Sequence, residues 1–145
     1  MALVLLSYAI VMDRILILSK PHGAANELEE VLVRGGFDAC AVNSPEEASA
    51  ELAARRYDLV LADLDRRAIE MVRQVRTAHP ATRVVLTGCV PLTQRQLERL
   101  DCGAVAFFPK PYDLDGAAAF MRRHLTCEPV SRRLWHAEQP TSYAL

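Results

Sequence analysis

The run Leu59-Val60-Leu61-Ala62, closed by Asp63 and followed by Leu64 and Asp65, restricts the folds open to this chain more than any other stretch. It is apolar at consecutive positions, shows no helical period and is bounded by charge. Such a run is a strand buried on both faces, as in a parallel sheet covered by helices on both sides. Ile15-Leu16-Ile17-Leu18 repeats the pattern and ends at Ser19-Lys20. Phe37 to Val42, Arg83 to Gly88 and Ala104 to Phe108 supply three more strands.

Helical stretches alternate with these strands. Ala24 to Arg34 places Ala24, Leu28, Val31 and Leu32 on one face, and Gly35-Gly36 stops it. Ser44-Pro45-Glu46-Glu47 combines a capping hydroxyl, a proline at the first helical position and acids in the first turn. The helix it starts turns Ala48, Leu52 and Ala53 inward and ends near Arg55-Arg56. Arg66 to Ala78 carries Ile69, Val72 and Val75 on one face, Pro91 opens a helix with Leu92, Leu97 and Leu100, and Asp113 caps the last, with Leu114, Ala117, Ala118, Met121 and Leu125. Five strands alternating with five helices across short turns predict an α/β doubly wound five-stranded parallel sheet, since parallel neighbours need crossovers.

The chain of 145 residues suits one domain, expected over 13–125, with an apolar extension at 1–12 and a tail at 126–145. The extension is shorter than the roughly 20 residues that span a bilayer and lacks a positive leader. It reads as a segment packed on the domain, a product of an early assigned start, or a dimerising element. A net charge of −1 gives no global field for nucleic acid or an anionic membrane. Cys40, Cys89, Cys102 and Cys127 form no C-x-x-C pair and read as reduced thiols of a cytoplasmic protein. Pro21-His22-Gly23 is a turn, with a weaker reading as an anion site at a helix start.

Three polar residues end three of the buried strands: Asp63, Thr87 and Lys110. In a parallel sheet they gather at the carboxyl edge, where ligands bind in folds of this class. Asp63 also reads as a cap of the helix after it. Together, a carboxylate, a hydroxyl and an ammonium suit an acyl phosphate. Asp63 is then the nucleophile, Lys110 pairs with phosphoryl oxygens, and Thr87 hydrogen-bonds another.

On these residues the chain resembles the receiver domains of two-component response regulators. Tyr57 to Leu64 is similar to the family's phosphoacceptor strand, and Val85-Leu86-Thr87-Gly88 to its switch-threonine strand. Gly103 to Tyr112 is similar to the segment with the family's lysine, here Lys110, and its switch aromatic, which falls on Phe107. The resemblance covers about Asp13 to Leu125. It implies a non-enzymatic signalling module in a phosphorelay, a sensor histidine kinase or phosphotransfer protein upstream, and a protein target on the face of the fourth helix, fifth strand and fifth helix. A homodimer is a further option.

The family's first strand ends in an acid pair that holds Mg²⁺; here Ser19-Lys20 stand there. Mg²⁺ needs several hard oxygen ligands, and an ammonium repels it, which leaves Asp63 and Asp65 as the only metal candidates. Lys20 is expected to pair with Asp63 as a lock, giving a phosphorylation-independent docking module as the alternative. The loop after Asp63 also lacks the family's proline and Asp-Gly. A remote enzyme reading, a haloacid-dehalogenase-like phosphohydrolase, would use Asp65 as general acid/base. DNA binding is disfavoured, because Arg122-Arg123-His124 and Arg132-Arg133 read as a solvated helix end and tail.

Overall fold

The computed structural model describes residues 12–20 and 24–125. The expectations for residues 1–11, for Pro21-His22-Gly23 and for 126–145 lie outside the described residues. The elements are β1 (Arg14–Leu18), α1 (Ala25–Arg34), β2 (Asp38–Val42), α2 (Pro45–Ala54), β3 (Leu59–Asp63), α3 (Arg66–Ala78), β4 (Arg83–Gly88), α4 (Gln94–Arg99), β5 (Ala104–Pro109) and α5 (Ala117–Leu125). All strands are parallel, in the order β2-β1-β3-β4-β5. This is the doubly wound sheet expected.

β3 is the hub, paired to β1 on one side and β4 on the other, and all five of its residues are buried. Its side chains alternate between two cores. Leu59 and Leu61 join Ile15, Ile17, Val85, Ala106 and Phe108 under α1 and α5. Val60 and Ala62 join Leu16, Leu18, Val84 and Leu86 under α2, α3 and α4. Each fully buried Leu, Ile or Val contributes about 1.5–3 kcal/mol, so a charge at Leu61 would open the α1/α5 layer and one at Val60 the layer of α2, α3 and α4.

The helices start and stop for local reasons. The Ser44 side chain accepts from the Glu47 N–H, with Pro45 at the first position, as expected of α2. Gly36, at φ +98°, takes the left-handed conformation that follows α1. Two boundaries, one cap and two faces differ from the sequence reading. α4 begins at Gln94 rather than Pro91, because Thr93 and Gln96 form a reciprocal capping box. α5 begins at Ala117, because Asp113 accepts from the Gly116 N–H and holds the preceding residues in a turn. Asp65, not Asp63, caps α3, accepting from the Arg67 N–H at 2.8 Å. Ala24 and Ala53 are exposed, and Ala25 takes the inward place in α1.

No described helix is long and apolar enough to cross a membrane.

Candidate functional site

The parallel register decides which side chains meet. Asp63 pairs with Thr87 across β3 and β4, and Thr87 with Phe108 across β4 and β5. In parallel strands paired residues point to the same face, so the three project together at the carboxyl edge. Two loops are tied to that edge. The Leu64 N–H donates to the Thr87 carbonyl at 2.7 Å, and the Lys110 N–H to the Gly88 carbonyl at 2.9 Å. Lys110 therefore leaves the sheet directly opposite Asp63.

Asp63 is 7% exposed and held from three sides. Lys110 Nζ lies 2.7 Å from Oδ1 as an ion pair, and Oδ1 has no further partner. Oδ2 accepts from Ser19 Oγ at 3.2 Å and from the Lys20 backbone N–H at 3.1 Å. The Lys20 ammonium does not reach Asp63. It pairs with Asp65 at 3.5 Å, because its side chain runs outward to the start of α3. In place of the expected Lys20–Asp63 ion pair, Asp63 is contacted by Lys110, the Ser19 hydroxyl and the Lys20 main chain. The Arg67 N–H, and Lys20 after it, hold the Asp65 carboxyl below the usual carboxylate range.

A cavity of about 180 Å³ opens beside Asp63, lined in part by Ser19, Lys20, Ser44, Asp65 and Arg67. Arg67 bridges its rim by pairing with Glu46 of α2. These residues do not fit Mg²⁺. Both nearby carboxylates are committed to cations and N–H donors, and the described residues contain no cluster of three or more metal-ligating side chains. Asp65, the general acid/base of the enzyme reading, is engaged as a cap and an ion-pair partner.

Phe107 projects to the opposite face. It is paired with Leu86, packs against the α2/α3/α4 core, and lies where a Cβ on Gly88 would meet its ring at 3.6 Å. The sequence reading missed Tyr112. Its ring stacks on Phe108, with centroids 5.5 Å apart, and lies 5.7 Å from Lys110 Nζ. Burial, and then the charge of Asp63, push the Tyr112 hydroxyl up to about 12, with the neighbouring Thr87 hydroxyl acting the other way. Neither hydroxyl makes a formed hydrogen bond; like Asp63 Oδ1, both are buried without one. The only sequence signal was a tyrosine two places past the strand-ending lysine.

A 2-1-3-4-5 parallel sheet with an aspartate, a threonine and a lysine converging at its carboxyl edge defines a flavodoxin-like receiver fold. No family model matches the chain. The regulatory protein AtoC of Escherichia coli K12 is 26% identical over 133 residues, covering 90% of this chain and 29% of AtoC. The chain thus spans less than a third of the length of that relative. HP1043, an orphan response regulator of H. pylori, is 25% identical, with a TM-score of 0.69 over 78% of this chain and 96% of that one. An atypical orphan response regulator with a phosphorylation-independent regulatory mechanism is 26% identical, with a TM-score of 0.67 over 77% of this chain and 94% of its own. The chain is thus similar to response-regulator receiver domains, atypical orphan ones among them, and it carries Ser19-Lys20 in place of an acid pair.

Proposed function

We propose that this receiver domain transmits a signal in a phosphorelay through protein–protein contacts, with Asp63 as phosphoacceptor. The convergence of Asp63, Thr87 and Lys110 at one sheet edge, with Lys110 Nζ 2.7 Å from the carboxylate, carries the reading. A sensor histidine kinase or phosphotransfer protein would supply the phosphoryl group. A carboxylate oxygen of Asp63 attacks phosphorus, the donor's leaving group departs with its electron pair, and Lys110 and Thr87 contact the transferred oxygens. Asp63 must first release one of its three partners. Phe107 and the α4–β5–α5 face would present the changed state to a protein target, in a cytoplasmic setting and without enzymatic turnover.

Because the site does not fit Mg²⁺, the positive charge at the phosphoryl group comes from Lys110, whose ammonium already lies on Asp63. Incubation with a small-molecule phosphodonor, read by intact mass, tests this. The expected result is one added phosphate that survives a chelator and is absent from Asp63→Ala.

A second reading follows from the contacts that already neutralise Asp63. In it the Lys110–Asp63 pair holds one state permanently and the domain docks its target without phosphorylation; the atypical neighbour has a phosphorylation-independent regulatory mechanism. Absence of any adduct on the folded chain would select this reading over the first.

A further inference from the structure

Two hydroxyls are buried at the carboxyl edge without a hydrogen bond, Thr87 Oγ1 and Tyr112 OH, while Asp63 Oδ1 has the Lys110 ammonium as its one partner. Thr87 is the strand partner of Phe108, on whose ring Tyr112 stacks, and an unpartnered buried hydroxyl is costly, so the two hydroxyls are poised to pair once one of them turns. Each hydroxyl both donates and accepts. Tyr112 can donate to Thr87, and Thr87 to whatever oxygen replaces or covers Asp63 Oδ1.

The Tyr112 ring is the first member of an aromatic column. It stacks on Phe108 at 12° between planes, Phe108 meets Phe120 of α5 at 4.7 Å, and Phe120 meets His124 one turn later at 4.6 Å. Ring–ring contacts of this kind are directional and close-packed, so a displaced first ring is felt by the next. The column lies on the α1/α5 face, whereas Phe107 lies on the other. Phe107 also has no hydroxyl with which to answer Thr87.

We propose that Tyr112 is a positioning residue that reads the state of Asp63 through the Thr87 hydroxyl and passes it, by Phe108 and Phe120, to α5. The proposal rests on the receiver reading, in which Asp63 changes state. It adds a route to α5 that is separate from Phe107. Lys110 supports it from above, because its ammonium faces both the Asp63 carboxylate and the Tyr112 ring and must move if the carboxylate is modified.

The test changes Asp63 by substitution, so that it does not depend on phosphorylation. Backbone amide shifts of α5 are compared between the native chain and Asp63→Asn, and the same comparison is repeated with Tyr112→Phe and with Phe107→Leu. Thermal melting confirms that each variant folds, and Phe120→Leu breaks the column further down without touching the site. The expected result is a response at Phe120 and His124 in the native and Phe107→Leu backgrounds that is lost with Tyr112→Phe and with Phe120→Leu. A response that persists with Tyr112→Phe, or an α5 that never responds to Asp63→Asn, overturns the proposal. Failure of a phosphodonor to label the native chain would bear on the acceptor chemistry alone and leave this outcome readable.

Discussion

Lys20 stands where a carboxylate would draw in a metal, and its side chain has gone elsewhere, 72% exposed and 3.5 Å from Asp65. The main chain at the same residue donates to Asp63, a contact any residue but proline could make. Lys20→Asp therefore keeps that donor while setting a third carboxylate beside Asp63 and Asp65. Without metal the three acids repel, and the variant should melt below the native chain. With Mg²⁺ at 100 times its dissociation constant, binding to the folded state alone adds about 2.7 kcal/mol. Thermal melting should then show a Mg²⁺-dependent rise in the variant and none in the native chain, and an equal rise in both would refute the account. Asp63, Thr87 and Lys110 were legible because each closes an apolar run, and a parallel sheet brings such closures to one edge. The partner of Lys20 was not legible. Main chain and side chain of one loop residue diverge there, and sequence does not encode the direction.

At the scale of elements, α3 shows how one short side chain sets a boundary. Asp63 and Asp65 are equivalent as capping types, but β3 holds Asp63 in the ladder with Thr87, leaving Asp65 as the first residue free to turn back on the Arg67 N–H. Asp65→Ala should lower stability by about 1 kcal/mol through loss of the cap. Asp65→Asn keeps a capping oxygen and loses only an exposed ion pair, so it should cost well under that amount. Urea unfolding separates the two, and equal losses would show that the Lys20 pair, not the cap, holds the start of α3. The strands were legible to within a residue or so, since unbroken apolar runs admit few other readings. Helix starts were less so. Thr93 and Gln96 outcompete Pro91 for α4, and Asp113 spends its carboxylate on a turn before α5, choices between neighbouring caps that periodicity does not resolve.

The molecule as a whole should have a stability plateau bounded by groups on different elements. On the acid side, burial, with Arg123 and Arg83 adding to it, holds His124 below its ordinary 6.5. Its neutral form is favoured by folding, so that contribution is complete above about pH 6.5 and is lost as the pH falls toward the folded value. Asp65, held below 3.8, withdraws a second contribution only at more acid pH. On the alkaline side the signs reverse. Burial, then Glu51, raises the Cys40 thiol above 9.0, and Tyr112 is raised from 10.0 to about 12. Each favours its protonated form in the folded chain, so stability is full below the unfolded value and is lost as pH climbs through the folded one. The urea midpoint should be flat from about pH 6.5 to about pH 9 and fall on either side. His124→Gln should flatten the first acid shoulder while leaving the alkaline limb in place. Replacing a half-buried imidazole that packs on Phe120 will lower the whole curve somewhat, so the diagnostic is the change of slope near pH 6 rather than the height. A midpoint that rises on acidification below pH 6.5 would mean that His124 gains a proton on folding, which its two arginine neighbours oppose.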